Sequence, residues 1–433
     1  MRLVGKIDAF DVPNRKRVGL ASVCHGLNEL YGLVLPPVLP LLVADFDITY
    51  GQGGLLLTVF FAMYAVFQLP AGVLADRIGK ARVMIFGLAG LAGSVLLASV
   101  AQSYLALLGI QVLAGIAGST YHPTGMSLIS DSQEGTTEGK AMGIFGFFGM
   151  IGVAVSPVVV GGITELYGWR VALATIALLG LAVVGAVARS LQLPTDLPRT
   201  SDRTPAESTI TDRQSGPVDH PQESTIRRLS ETVSGMFSVP LSAALVLLLA
   251  AHVVVSMQVR SVQTFTTAFV FTQTGESTTI ANAAFFVTLI GGSVASLWAG
   301  GLADRFERTR LAVVLSLASA ALLVATYVVP PGSLPTFLLF PWFFALGFSI
   351  YSTSPVKNAL ASAYAVDEYS GSLFGLLQTA TAVGSAGGPA LFGFLASRYG
   401  LEVAFPAIAG VCITLALVFL SLGWTGVDGP ARE

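Results

Sequence analysis

Twelve apolar stretches, each long enough to cross a bilayer, follow one another along this chain of 433 residues, and they fall into two sixes that repeat each other. Runs of about 18 or more mostly apolar residues read as membrane-spanning helices. They are predicted near 18–43, 53–75, 82–101, 104–130, 139–164 and 169–190, then near 239–271, 278–303, 310–329, 334–361, 370–397 and 402–424. The loop after the second, Gly72-Val-Leu-Ala-Asp76-Arg77-Ile-Gly79-Lys80-Ala-Arg82, returns after the eighth as Gly300-Gly-Leu-Ala-Asp304-Arg305-Phe-Glu307-Arg308-Thr-Arg310. A second set of identities shares one offset of 232: Gly139, Gly143, Gly152, Pro157, Gly161, Tyr167 and Gly168 match Gly371, Gly375, Gly384, Pro389, Gly393, Tyr399 and Gly400.

The fold class that follows is an all-α membrane protein of twelve transmembrane helices in two pseudo-symmetric six-helix bundles. Its divisions are an N-terminal bundle at 1–191, a cytoplasmic linker at 192–238 and a C-terminal bundle at 239–433. Charged residues make up 11% of the chain, against roughly a quarter in a soluble protein, so lipid is a main solvent. The linker is dense in Pro, Ser, Thr, Asp and Arg and cannot bury enough apolar area to fold alone; the one element read in it is a surface helix around 226–236. Of the 23 Lys and Arg, all but Arg170, Arg260 and Arg398 fall in segments that share one side of the membrane. The positive-inside rule then makes both termini cytoplasmic in a multi-pass protein of the cell membrane. A net charge of -2 gives no basic field for nucleic acid. Cys24 and Cys412 both sit in apolar runs and read as small core residues.

Two parallel six-helix repeats form one known architecture of secondary transporters, with the substrate site at the midplane between them. No Gly-x-x-x-x-Gly-Lys-Ser/Thr loop is present to suggest ATP-driven work, and no nucleophile and base stand at one depth to suggest an enzyme. The pattern Gly-x-x-x-Asp-Arg-x-Gly-Lys/Arg-x-Lys/Arg resembles the signature loop of the major facilitator superfamily, and the resemblance runs the length of the chain. More narrowly, His25-Gly-Leu-Asn28-Glu29-Leu-Tyr31 with Leu35-Pro36-Pro37 in the first helix, and Tyr121-His122-Pro123 in the fourth, look like stretches of fosmidomycin-resistance exporters. Glu29 stands where that subfamily usually shows Asp, and Thr124 where an acidic residue is common. The resemblance implies the major facilitator fold, alternating access, proton antiport and efflux of small anionic or amphiphilic compounds, as in drug resistance. Uptake of a small organic anion with a proton is the rival direction, and a non-transporting sensor or scaffold the rival class.

Ionisable residues within the spans are expensive to bury, so each is a site candidate. His25, Asn28, Glu29 and Gly32 share one face of the first helix by i, i+3, i+4, i+7 spacing. In the seventh helix His252, Ser256, Arg260, Gln263 and Thr267 cluster likewise. Glu29, with His122 and His25, is the expected proton-coupling group. Arg260, Asn28, Tyr31, Tyr121, Gln263 and Tyr351 are the expected substrate contacts, the guanidinium of Arg260 holding an anion in exchange with the Glu29 carboxylate. A permanent Glu29 to Arg260 ion pair that only joins the halves is the alternative. Gly72, Asp76, Arg77, Gly79, Lys80, Asp304 and Arg305 form the expected conformational gate. The resemblance places Asp76 against the turn near Gly371 and Ser372, and by symmetry Asp304 near Gly139. No dense cluster of His with short ligand spacing occurs along the chain, so neither metal nor cofactor is expected. The partners expected are a small-molecule substrate, protons and lipid, with the chain acting as a monomer.

Overall fold

The structure, a computed structural model, describes residues 12–133, 137–191, 242–303, 305–364 and 370–426. The linker, the helix expected near 226–236 and Asp304 all lie outside these residues. The helices of the first half are α1 Arg15–Asp45, α2 Tyr50–Ile78, α3 Lys80–Ser99, α4 Tyr104–Ser130, α5 Thr137–Tyr167 and α6 Trp169–Ser190. Those of the second half are α7 Ala243–Thr274, α8 Thr278–Ala303, α9 Arg308–Val328, α10 Thr336–Tyr364, α11 Ser370–Tyr399 and α12 Leu401–Gly423. Eleven of these are long and apolar enough, by length and composition, to cross a bilayer. No strand occurs among the described residues.

The duplication read from the loops is repeated in the packing. In the first half α1 lies against α5, α2 against α4 and α3 against α6. In the second half α7 lies against α11, α8 against α10 and α9 against α12, the same pairing displaced by six helices. Two crossed contacts, α2 with α11 and α5 with α8, join the halves. Lipid tails are as apolar as the side chains, so these contacts rely on close packing, which small residues permit. At Gly393 of α11 an added Cβ would lie 3.0 Å from the Tyr50 carbonyl oxygen and 3.2 Å from Gly51 Cα, so a side chain there would push α2 back by a few tenths of an ångström.

Two helices of the first half are broken, and both breaks have a chemical cause. In α1 the run Pro36-Pro37 removes two backbone donors, and the chain passes through a 3-10 turn at Pro36–Val38. The Leu33 carbonyl, four residues before Pro37, accepts a hydrogen bond from Ser156 Oγ of α5 at 2.7 Å. In α4 the helix stops at Gly118 and resumes at Tyr121. Pro123 withholds the donor that the Ser119 carbonyl would use, while Ser119 Oγ and Thr120 Oγ1 turn back to the Ile116 and Ala117 carbonyls at 2.6 and 2.9 Å. The first break places Asn28 and Glu29 just before an irregular stretch, and the second places His122 just after one.

Lys357, expected among the charges on one side of the membrane, lies inside α10 and is 7% exposed. The helix continues to Tyr364, seven residues further than the lysine, with Pro355 inside it.

Candidate functional site

A cavity of about 340 Å³ lies between the halves. On its N-terminal side stand His25, Glu29 and His122, and on its C-terminal side Arg260, Gln263 and Tyr351. Hydrogen bonds join the two halves at the end away from the repeated basic loops. There Gly51 N donates to Ser397 Oγ at 2.7 Å, Thr278 Oγ1 to Glu165 Oε2 at 2.8 Å and Asn282 Nδ2 to the Pro37 carbonyl at 3.1 Å. Nearer the middle, Thr58 Oγ1 donates to the Ala386 carbonyl at 2.9 Å. Toward the basic loops the walls part: Gly139, Gly143 and Gly146 of α5 have nothing within 4 Å of where a side chain would begin.

The acidic side is built from α1, α4 and α5. Glu29 Oε1 lies 3.4 Å from His122 Nε2 and 3.7 Å from His25 Nε2. His25 is held on its other nitrogen, where Nδ1 meets the Phe145 carbonyl at 2.8 Å. A carbonyl only accepts, so Nδ1 carries a proton and Nε2 is the nitrogen turned to Glu29. The imidazole is stacked on Phe145, with centroids 3.9 Å apart, and meets Tyr121 on another side at 5.6 Å. Asn28 Nδ2 lies 3.4 Å from Glu29 Oε1 and 3.2 Å from the Tyr64 hydroxyl.

The basic side is built from α7 and α10. Arg260 NH1 donates to Gln263 Oε1 at 2.8 Å, and Gln263 Nε2 donates to the Tyr351 hydroxyl at 2.8 Å. The guanidinium carbon lies 4.4 Å from the centre of the Phe61 ring of α2, a cation–π contact across the two halves. These contacts orient the guanidinium without neutralising it.

Several expectations are corrected by this geometry. Glu29 and Arg260 line one cavity but form no ion pair within 4.0 Å, so the permanent pair does not exist in this conformation; the guanidinium instead bonds Gln263, three residues along its own helix. Tyr31 does not face the cavity, because its hydroxyl donates to the Ile176 carbonyl of α6 at 3.1 Å and its ring is buried in the N-terminal core. Tyr121 is fully buried, its hydroxyl donating to the Ala21 carbonyl, and it supports His25 rather than meeting a ligand. Asn28 stands behind Glu29 and does not line the cavity. Of the α7 cluster only Arg260 and Gln263 reach the cavity: His252 bonds the Leu248 carbonyl of its own helix and Thr267 bonds Asn282. Phe61, Tyr64 and Asn282 contribute contacts that spacing along the chain could not reveal, since each partner lies on a different helix.

The expected gate is only partly described. Asp76 and Arg77 are exposed at the end of α2, and the side chains of Gly371 and Ser372 lie outside the described residues. Lys80 Nζ pairs with Asp131 Oδ2 at 2.6 Å, tying the loop to the end of α4 within its own half. Gly79 has φ 100°, where a β-carbon is strained, whereas Glu307 at the repeat position has φ −58°. The backbone therefore differs at these matching positions, and Arg305 is exposed.

A duplicated helical bundle with a polar cavity between its halves defines a membrane carrier fold. The sequence profile described as the Major Facilitator Superfamily matches residues 19–354 and 248–433, and the chain belongs to that family. Among curated proteins, the inner membrane transport protein YnfM of Escherichia coli is 30% identical over 171 residues, covering 39% of this chain and 41% of that protein. The fosmidomycin resistance protein of Escherichia coli is 26% identical over 172 residues, 39% of this chain and 42% of its own length. The riboflavin transporter RibZ of Clostridioides difficile is 27% identical over 157 residues, 36% of this chain and 34% of its length. Each of these matches spans less than half of the relative. Among solved structures, a bacterial homolog of the human lysosomal transporter Spinster, inward-facing and unoccupied, superposes with a TM-score of 0.75 at 14% identity, covering 99% of this chain and 100% of that one. A peptide transporter in complex with sulfate gives a TM-score of 0.72 at 16% identity, covering 96% and 97%. At these identities the structural likeness is one of fold.

Proposed function

We propose that the chain is a proton-coupled secondary transporter of the cell membrane, exporting small anionic or amphiphilic compounds by alternating access, with both termini in the cytoplasm. The observation that carries this reading is the shared cavity, with a carboxylate and two imidazoles on one wall and an oriented guanidinium on the other. In this scheme the arrangement is open toward the cytoplasm, and the hydrogen bonds at Gly51, Thr278 and Asn282 hold the outer side shut. Arg260 takes the anionic part of the substrate, since its donor fork matches a carboxylate or phosphonate, and Gln263 and Tyr351 set its direction. Glu29 carries the proton, which His122 and His25 relay because both imidazoles lie within 4 Å of its carboxylate. Rocking of the N-terminal bundle against the C-terminal bundle then exposes the same groups to the outside. The partial likeness to a fosmidomycin resistance protein supports export over uptake.

The test uses purified protein in vesicles of known orientation carrying a pH-sensitive dye. Outward substrate movement coupled to inward proton movement is the expected result, and it is lost in Glu29→Gln. Proton movement in the same direction as substrate would overturn export by exchange, and unchanged coupling in Glu29→Gln would remove the carboxylate from the mechanism.

A further inference from the structure

We infer that His25, Glu29 and His122 form a binding site for a divalent transition ion of the Zn²⁺ type. Their ligand atoms, two imidazole nitrogens and one carboxylate oxygen, all lie within 4.8 Å of one another. Two edges of this triangle are 3.4 and 3.7 Å. A tetrahedral ion with ligands at its usual distances needs edges of about 3.3 to 3.5 Å, so two of the three are almost in place. The third edge is within 4.8 Å, and His122, the most exposed of the three at 34% of its side chain, is the ligand with most room to shorten it.

The tautomer of His25 strengthens the assignment. Its Nδ1 proton is given to the Phe145 carbonyl, so in the neutral ring Nε2 presents a lone pair toward the carboxylate oxygen 3.7 Å away. Two acceptors facing each other need a proton or a metal ion between them, and the third ligand atom, His122 Nε2 at 3.4 Å from the same carboxylate oxygen, gives the grouping the shape of a metal site. A ligating His fixed through its second nitrogen by a backbone carbonyl is also how metal sites hold their imidazoles. Stacking on Phe145 and Tyr121 keeps the ring from turning away, and Asn28 Nδ2 supports the carboxylate from behind. The fourth coordination position faces the cavity and is left for water or a ligand. Neutral imidazole with carboxylate suits Zn²⁺ and Co²⁺ and disfavours Mg²⁺ and Ca²⁺, which prefer oxygen. An ion there would also withdraw Glu29 from proton exchange; that consequence rests on the transport reading, whereas binding does not.

The test is direct titration of the full chain in detergent, tag removed and metal stripped, with Co²⁺ followed by visible absorption and then displaced by Zn²⁺. One Co²⁺ per chain with the intense bands of a low-coordinate site is expected, at micromolar affinity. Glu29→Gln and His122→Asn should each weaken binding at least tenfold. His252→Asn, in the other half and away from the cavity, should leave it unchanged. Absence of saturable binding at one ion per chain would overturn the site, as would Glu29→Gln and His122→Asn binding like the parent, or His252→Asn weakening it equally. A protein that binds no metal yet loses proton coupling in Glu29→Gln would refute this inference alone.

Discussion

At the scale of single residues, what matters is which groups the fold leaves reactive. Arg260 stands at the cavity wall with Gln263 and Phe61 as its contacts, and neither carries an opposite charge. Arg260→Lys replaces a rigid fork by a point charge, so anion binding, read as ligand-induced thermal stabilisation, is expected to weaken at least tenfold while folding is preserved. The gate glycines separate in the same way. Gly79 sits at φ 100°, and Gly79→Ala is expected to cost about 1 to 3 kcal/mol, measurable as a lower melting temperature. Gly72→Ala would bring its Cβ to 3.7 Å from Pro123 Cβ, an ordinary contact, so its stability should stay within about 0.5 kcal/mol of the parent. The face His25-Asn28-Glu29 was legible from helical spacing, yet its members diverge. Glu29 and His25 reach the cavity, while Asn28 turns toward Tyr64 because a neighbouring helix offers a hydroxyl there. Spacing along the chain does not bring His122 to His25 and Glu29; it joins them only because α4 is folded against α1.

At the scale of elements, the irregular parts of α1 and α4 adjoin the cavity residues Glu29 and His122. The double proline of α1 was plain in the sequence, but the fate of the carbonyls it frees was not. Ser156 on α5 satisfies Leu33 and Asn282 on α8 reaches Pro37, so the break also becomes a point where the halves meet. Ser156→Ala leaves the buried Leu33 carbonyl without this partner and is expected to destabilise by about 1 to 3 kcal/mol, read as a lower melting temperature in detergent. Tyr31 and Tyr121 show the opposite limit. Each lies near an ionisable residue in sequence, and each spends its hydroxyl on a backbone carbonyl inside its own half. Their direction is set by which helix stands next to them, which spacing does not encode.

At the scale of the whole molecule, the halves are joined by hydrogen bonds at one end. The Gly51 amide donates to Ser397 Oγ, and a Cβ on Gly51 would lie 2.7 Å from that oxygen. A Gly51→Cys, Ser397→Cys pair should therefore form a disulfide readily. Cys24 and Cys412 are buried and do not compete. Cross-linking is expected to stop transport, with recovery on reduction; full flux in the cross-linked protein would mean that this end need not open. The sequence alone carried the duplication, because lipid demands long apolar helices and repeated halves leave repeated loops. It also carried the identity of the costly intramembrane charges, since a bilayer makes every such residue conspicuous. The tertiary structure decided which of them meet. Glu29 faces two histidines rather than Arg260, an outcome set by the packing of α4 and α5 on α1 and by the depth at which the halves touch.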